Sequence, residues 1–484
     1  MPISQHQRLA IVLGFVTVYS AVVHYRSLNQ SAFATGWDSY FYLVQVKSYL
    51  EEGQMVSSRI SLFYPFLMGV KALVGNYVIA WKVAGSILCA LFGLLCYFLL
   101  RSLQQKRSVA LLGFTLAVCS PQLFFFSAQY LKNLMGFDLV LLFLILLLRK
   151  KMLLALGVLL LCLFTHKAAL AFGGLFFLVY SIIRWKRHQL LWLLAGITAL
   201  LIASITVPLV FSLGDLMRDS NLLSHQLHFS YASFIFNSGL HVSSLWAFEL
   251  ILSLVCIPIF WMLHKKSNTE FWIALLSLQI TWLLFNLPIW SMDRLGYGFR
   301  FFLQSALLAP VFIAICTSRV QGSKWLHFVS ILILGLAILT AKTYKPKYHD
   351  PPYVKYNAIQ HRLTQHPNYE QTALYIAHKG LAEYIKFASG KDAMAWVPEY
   401  DIPPEKLYRV VKTKDFSFLY NTTSDGNKAA WYRLSSLYYA VPEHIWQGVY
   451  KSLPHSNPEL YEDLSDWTNP NRMRPEYMKK YRVK

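Results

Sequence analysis

The carboxylate with the most distinctive surroundings in this sequence is Asp38, which lies in the segment 36–53. Tryptophan, tyrosine and phenylalanine residues neighbour it along the chain. Apolar surroundings disfavour the charged form of a carboxylate and make it a better base. Asp38 is therefore a candidate catalytic carboxylate that orients or deprotonates a hydroxyl group. The alternative is a purely structural role, since an aspartate that precedes a helix caps its N-terminus.

A second chemical cluster is the basic and aromatic segment 293–302. Arg300 lies at the end of an apolar run, where a charge is costly unless it faces a cavity or a partner. A guanidinium group binds phosphate through two parallel hydrogen bonds. We therefore predict that Arg300, and secondarily Arg294, bind phosphate. The alternative is an ion pair between Asp293 and either arginine that only holds the loop together.

Three further basic residues lie at the ends of apolar runs. Lys132 begins one run, where the free N–H groups of a helix start attract anions; its alternative role is to extend its amine to lipid headgroups. His166 and Lys167 form a short turn, a place where glycine, serine or asparagine is commoner. We predict that all three residues contact a phosphate, and an exposed turn is the alternative for His166 and Lys167.

Two acidic residues lie inside apolar runs, Asp138 and Glu249. Each is a candidate to contact an acceptor molecule or a metal ion; whether a metal is needed is left open, with Mg²⁺ or Mn²⁺ as the candidate cation. A neutral, hydrogen-bonded structural carboxyl is the alternative for both residues.

The composition of the chain indicates a membrane body followed by a soluble segment. The chain has 484 residues, a net charge of +21 and only 14% charged residues, against about a quarter in soluble proteins. Nine of its 24 acidic residues precede Lys342, so residues 1–341 avoid carboxylates as a membrane body must, and residues 342–484 have a soluble composition. The basic residues form short clusters between apolar runs, which argues against a nucleic-acid partner.

The apolar runs predict an all-α polytopic membrane protein with about 11 transmembrane helices. They cover residues 9–24, 76–100, 109–120, 134–148, 152–164, 168–183, 190–211, 242–263, 271–287, 299–317 and 325–341. The third run is expected to continue past Pro121 as a kinked helix.

The charges between these runs predict the orientation of the chain. Basic clusters occur at every second connection, at 101–107, 149–151, 184–188, 264–266 and 318–324. Such clusters stay in the cytoplasm, so the N-terminus is predicted to be cytoplasmic and the C-terminal segment extracytoplasmic. The first outer loop, residues 25–75, and the basic residues named above then share the outer face.

The outer segments have local structure of their own. Residues 36–53 are predicted to form a helix on the membrane surface that stops at Gly53. A second element, 58–75, is expected to break at Pro65. In the tail, helical spacing over 373–390 and alternation over 406–423 predict a small α+β domain.

The first outer loop resembles that of the GT-C superfamily of membrane glycosyltransferases, which includes the oligosaccharyltransferases. The similar features are the aromatic-rich stretch around Asp38, the pair Glu51 and Glu52 before Gly53, and Tyr64 with Pro65. The resemblance implies an inverting enzyme that takes sugar from a dolichyl- or undecaprenyl-phosphate type carrier.

The resemblance also implies roles for individual residues. It implies that Asp38 positions or deprotonates the acceptor or binds a metal, and that Arg300 contacts the carrier phosphate. Two features depart from the family pattern. Residues 129–133 lack the second acidic motif of many relatives, and the tail lacks the Trp-Trp-Asp motif of oligosaccharyltransferases. These departures argue against protein N-glycosylation and leave metal dependence open.

The expected function is transfer of a sugar from a polyprenyl-phosphate-linked donor to a glycan, lipid or protein acceptor, in contact with membrane lipids. One alternative is an O-antigen ligase or polymerase, which also uses outer-face cations. Another is a lipid or polysaccharide transporter, a class in which internal repeats and polar residues at mid-membrane are typical.

Overall fold

The structure is a computed structural model, and it describes residues 5–36, 38–56, 61–184, 269–285, 304, 307–320, 353–365, 374–377, 379–390, 392–395 and 438–439. The chain divides into two compact units. We call residues 1–35 with 57–348 the helical unit, and residues 36–56 with 349–484 the tail unit.

The described helices of the helical unit are α1 (Gln5–Leu28), α3 (Phe63–Val74), α4 (Tyr77–Ser102), α5 (Arg107–Val118), α6 (Pro121–Gln129), α7 (Leu131–Leu148), α8 (Met152–Leu163), α9 (Lys167–Ile183), α10 (Thr269–Phe285) and α11 (Ala309–Val320). Those of the tail unit are α2 (Ser39–Glu52), α12 (Tyr353–Thr364) and α13 (Lys379–Ser389).

Within the described residues, three stretches are long and apolar enough to cross a membrane, Ala10–Leu28, Tyr77–Ser102 and Leu131–Leu148. Helices α5 and α6 form a further candidate span with a 50° bend. Pro121 begins α6, and Ser120 Oγ accepts a hydrogen bond from the N–H of Leu123, so the chain restarts a helix there. The predicted kink is confirmed. Three of the predicted runs, 190–211, 242–263 and 325–341, lie outside the described residues, and the count of about 11 stays a prediction.

Helix α4 lies among α1, α5 and α7 in the helical unit. Glycines allow close approach here: a Cβ built on Gly93 would lie 2.5 Å from Val118 Cγ2, and one on Gly113 would lie 2.1 Å from Leu100 Cδ1. Close packing of this kind stabilises helices in lipid, where burial of apolar surface gives little driving force.

Polar contacts join helix ends that carry the predicted cytoplasmic charges. Arg149 Nε donates to Ser102 Oγ at 3.1 Å, so the ends of α4 and α7 lie together. Arg184 pairs with Glu270 at 2.5 Å and joins the end of α9 to the start of α10. The side of the membrane on which these ends lie stays a prediction.

The expected break at Pro65 is wrong. Helix α3 begins at Phe63 and runs through Pro65 to Val74. A proline in the first turn of a helix costs little, because the N–H that it lacks would have no partner within the helix.

The described strands of the tail unit are β1 (Leu374–Ala377), β2 (Asp392–Ala395) and β3 (Tyr438–Tyr439), in the order β2-β1-β3. Strand β1 is parallel to β2 and antiparallel to β3. The helix predicted over 373–390 is wrong in its first part, which forms β1 because this stretch pairs with two neighbouring strands. Its end is right, since Gly390 follows α13 with φ +73°. The predicted strands within 406–423 lie outside the described residues.

The helix predicted in the first loop is confirmed as α2, and Gly53 follows it in the left-handed conformation with φ +76°; its place on the membrane surface stays a prediction. Its buried side chains include Tyr40, Leu43 and Val46. The Tyr40 ring packs on aromatic rings of α12 and α13, with centroid distances of 4.6 Å to Tyr353 and 4.9 Å to Tyr384. This face of α2 is therefore part of the core of the tail unit.

Candidate functional site

Asp38 occupies the N-cap position of α2 but does not cap it with its side chain. Its backbone has φ −104° and ψ 9°, and the carboxylate makes no capping hydrogen bond. The side chain is half-buried. The hydroxyl of Ser39 donates instead to the carbonyl of Gly36 at 3.0 Å and stabilises the turn that precedes the helix. The simple capping role is therefore not what the carboxylate of Asp38 performs in this structure.

The turn between α8 and α9 is a corner at which several helices of the helical unit begin. The N–H of Leu62, the residue before α3, donates to the carbonyl of Phe164 at 2.9 Å. The second turn of α7 also packs on this corner, because a Cβ built on Gly136 would lie 2.9 Å from the Cβ of His166. The starts of α3, α7 and α9 therefore converge on residues 164–167.

The predicted phosphate ligands His166 and Lys167 lie at this corner, and Lys132 lies one turn of α7 from it; we call the three residues the basic corner. Lys132 lies in the first turn of α7, one turn before Gly136 and on the same face. His166 is the N-cap of α9 and Lys167 is its first residue. The Nζ atom of Lys167 is buried.

The electrostatics of the basic corner favour an anion. The start of each helix carries a partial positive charge from its unpaired N–H groups. Ammonium groups on Lys132 and Lys167 add to the charge at the starts of α7 and α9. Helix starts with this arrangement of charge are typical of anion-binding sites in proteins, and phosphate binding by these three residues stays a prediction.

Asp138 lies apart from the basic corner, in the interior between α7 and α4. Its side chain is 3% exposed, and neither carboxylate oxygen has a hydrogen-bond partner within the described part of the chain. It lies near enough to Cys89 and Cys96 of α4 for electrostatic interaction.

The remaining predicted residues are placed as follows. Asp38 belongs to the tail unit, and the basic corner belongs to the helical unit. Arg294, Arg300 and Glu249 lie outside the described residues. Within the described ranges, no three histidine, cysteine, aspartate or glutamate side chains are grouped so that they could hold a metal ion.

Lys82 is a buried lysine near the start of α4 that sequence reasoning missed. It is 3% exposed, and its Nζ donates to Asn29 Oδ1 at 3.1 Å and to the carbonyl of Ser31. The adjacent Trp81 donates from Nε1 to the carbonyl of Thr35 at 3.0 Å. Together they fix the start of the first outer loop.

A signal for Lys82 exists in the sequence, because it is the only charged residue in the apolar run 76–100. A lysine in such a run is costly unless its amine is hydrogen-bonded or faces a cavity. Attention to that cost would have identified Lys82 as a residue with a specific role.

The apolar helices and their arrangement define the chain as an all-α membrane protein. Its structure is similar to the crystal structure of ArnT from Cupriavidus metallidurans bound to undecaprenyl phosphate, with a TM-score of 0.52. The similarity covers 94% of this chain and 95% of the ArnT chain at 11% sequence identity, so it establishes the fold alone. No family model matches the chain, and no curated protein matches it.

Proposed function

We propose that this protein is an inverting membrane glycosyltransferase that uses a polyprenyl-phosphate-linked sugar as donor. The acceptor is a glycan, lipid or protein on the extracytoplasmic side. The observation that carries the proposal is the shared fold, over 94% of the chain, with a structure that was solved with undecaprenyl phosphate bound. The basic corner supports it independently, since it offers the charge that a phosphate group needs.

In the proposed reaction, the carrier phosphate is the leaving group. Negative charge develops on it as the bond between its oxygen and the sugar C1 breaks. The cations Lys132 and Lys167, with His166, Arg300 and Arg294, stabilise that charge. Fixed cations and helix N-termini are effective in this role because they need no rearrangement during the reaction.

The acceptor hydroxyl attacks C1 from the face opposite to the leaving phosphate, so the configuration at C1 inverts. In the proposed mechanism the hydroxyl proton passes to the carboxylate of Asp38 as the new C–O bond forms. The half-buried position of Asp38, which keeps the side chain within reach of an acceptor, suits this role. Glu249 and Asp138 are second candidates for contact with the acceptor or a metal.

A divalent cation, Mg²⁺ or Mn²⁺, is the alternative partner for Asp38 in the proposed mechanism. The described residues provide no set of three metal-binding side chains, and no step above depends on a metal. A chelator decides between the two roles. Activity that survives EDTA assigns Asp38 as the base, and activity that returns only with added Mg²⁺ or Mn²⁺ assigns it as a ligand.

The first experiment is mass spectrometry of the lipid that co-purifies with the protein in mild detergent. We expect a polyprenyl-phosphate sugar with wild type and less of it with Lys167→Ala and Arg300→Ala. Lys151→Ala is the matched control. Lys151 is an exposed lysine directly before the start of α8, whereas Lys167 follows the end of α8.

The second experiment is transfer of the sugar from the identified donor to extracytoplasmic glycans and lipids. We expect Asp38→Asn to abolish transfer while the donor still co-purifies. Full transfer by folded Asp38→Asn and Arg300→Ala would contradict the mechanism. Polymerisation of the donor's own glycan would indicate the ligase or polymerase class, and donor flipping without transfer would indicate a transporter.

A further inference from the structure

The strongest unassigned feature of the tail unit is a triangle of three oxygen atoms around the turn that carries Asp38. The hydroxyl of Tyr353 donates to the carbonyl of Gly36 at 2.6 Å and lies 3.1 Å from Ser39 Oγ. Ser39 Oγ in turn lies 3.0 Å from the carbonyl of Gly36. Two of the three atoms belong to Gly36 and Ser39, which lie on either side of Asp38 in the chain.

We propose that Tyr353 is a positioning residue that fixes the turn 36–39 and thereby the direction of the Asp38 carboxylate. The inference rests on the proposed function of Asp38 as the residue that acts on the acceptor. It adds that a tyrosine more than 300 residues further along the chain sets the geometry of that carboxylate.

The Tyr353 hydroxyl is itself held in place. The side chain is 5% exposed, and its ring lies 4.6 Å from the Tyr40 ring and 5.7 Å from the Tyr356 ring between centroids. A packed aromatic ring has already lost its rotamer freedom, so its hydroxyl group offers a fixed anchor for the backbone it binds.

The backbone of the turn needs such an anchor. Gly36 has φ +101°, a conformation that side chains disfavour, and its carbonyl accepts from both Tyr353 and Ser39. Rotation of the peptide at Gly36 would swing the following residues, and the two hydroxyl groups oppose that rotation.

The attachment of α2 to the tail does not depend on the Tyr353 hydroxyl. At the other end of α2, Lys47 Nζ donates to the carbonyl of Phe387 at 2.6 Å, and Lys386 pairs with Glu52 at 3.1 Å. The Tyr40 ring also packs on the Phe387 ring at 5.0 Å. Removal of the hydroxyl alone therefore loosens the turn and leaves α2 in place.

A matched pair of variants separates positioning from folding. Tyr353→Phe keeps the ring against Tyr40 and removes the hydrogen bond to Gly36 together with the hydroxyl contact with Ser39. Tyr384→Phe removes a hydroxyl from a ring that also packs on Tyr40, but this hydroxyl donates to Asn357 at 2.8 Å and not to the turn. Ser39→Ala tests the second corner of the triangle.

The first measurement is hydrogen exchange of the full-length protein in detergent, followed by mass spectrometry of peptides that cover residues 36–45. We expect amide exchange at the start of α2 to become roughly five- to tenfold faster in Tyr353→Phe and Ser39→Ala, as befits one lost hydrogen bond. In both turn variants, exchange near residues 47–52 should match wild type. In Tyr384→Phe, exchange at the start of α2 should also match wild type. Unchanged exchange in both turn variants overturns the proposal.

The second measurement is the kinetics of sugar transfer. Tyr353→Phe should lower kcat roughly three- to tenfold with an unchanged KM for the donor, because only the acceptor-facing carboxylate moves. Equal losses in Tyr353→Phe and Tyr384→Phe would contradict positioning. Absence of transfer in the wild type would reject the proposed function, and the exchange result would still decide whether Tyr353 holds the turn.

Discussion

Gly136 of α7 and His166 at the start of α9 lie so close that no side chain fits between them. A Cβ built on Gly136 would lie 2.9 Å from the Cβ of His166 and 2.9 Å from the Cβ of Ala169. Both neighbouring atoms are attached directly to the backbone, so they yield only if a helix moves. This contact fixes the start of α9 against the second turn of α7, one turn after Lys132.

We therefore predict that Gly136→Ala destabilises the helical unit and weakens donor binding. Overpacking of this kind costs about 1–3 kcal/mol. Gly157→Ala is the control, because a Cβ at Gly157 of α8 meets nothing within 4 Å. Thermal unfolding in detergent and donor co-purification measure the two effects, and equal behaviour of both variants would contradict the prediction.

Lys82→Ala should destabilise the protein by about 1–3 kcal/mol, because it removes a buried side chain together with the hydrogen bonds that its charged amine donates to Asn29 and to the carbonyl of Ser31. Lys71→Ala is the control, since Lys71 is a half-exposed lysine whose amine lies 4.9 Å from the Tyr77 ring. The midpoint of thermal unfolding is the measurement. A loss no larger in Lys82→Ala than in Lys71→Ala would show that the buried amine is not structurally important.

The ion pair between Arg184 and Glu270 should contribute little. Their side chains are 18% and 42% exposed, so water and salt screen the attraction. A double-mutant cycle with Arg184→Ala and Glu270→Ala is expected to give a coupling energy of about 0.2–1 kcal/mol that declines at high salt. A coupling energy above about 2 kcal/mol, independent of salt, would indicate a buried pair instead.

The tail unit should lose stability at alkaline pH through its buried tyrosines. Burial raises the pKa of Tyr384 to about 12, and burial together with the Glu383 carboxylate raises the pKa of Tyr356. Because the pKa of each buried tyrosine is higher in the folded state than in the unfolded state, the tyrosine contributes its full stabilisation below the unfolded pKa of about 10. That stabilisation is lost as the pH rises through the folded pKa.

Tyr384→Phe and Tyr356→Phe should therefore flatten the decline in stability between about pH 10 and pH 12. Tyr49→Phe, which changes an exposed residue of α2, is the control. Unfolding followed against pH by tyrosine absorbance measures the slope. An unchanged slope in both variants of the buried residues would show that other groups cause the alkaline loss.

The predicted orientation is testable with single cysteines in a variant that lacks the six native ones. Ala32, between α1 and α2, and Lys106, between α4 and α5, are both exposed. A membrane-impermeant maleimide added to intact cells should label Ala32→Cys, and Lys106→Cys should be labelled only after permeabilisation. The reverse pattern would invert the orientation derived from the basic clusters.

The features predictable from sequence were those set by neighbours along the chain. The helix stop at Gly53, the stop at Gly390 and the kink at Pro121 each follow from the backbone chemistry of one residue. The apolar runs that became α1, α4 and α7 were equally visible, because a membrane span needs about 20 apolar residues.

The features that sequence could not supply depend on distant contacts. Leu374–Ala377 became a strand because β2 and β3 pair with it. The burial of Tyr40 depends on Tyr353, and nothing near Asp38 signals that tyrosine. The same limit applies to the candidate site. The sequence marks Lys132 and Lys167 as separate candidates, and only the packing of Gly136 on His166 shows that their helices meet.

The make-up of the tail unit has a consequence for synthesis of the chain. Ser39 and its partner Tyr353 are 314 residues apart, and ribosomes add about 5–20 residues each second. Helix α2 thus leaves the ribosome some 15–60 s before the aromatic side chains that will cover it. During that interval the apolar face of α2 has no protein partner to cover it. The nearest surface that can cover it is that of the bilayer into which α1 has just been inserted. The packing of α2 against the tail therefore forms late, after α1 has been inserted. Nascent chains halted before Tyr353 would contain α2 without this partner.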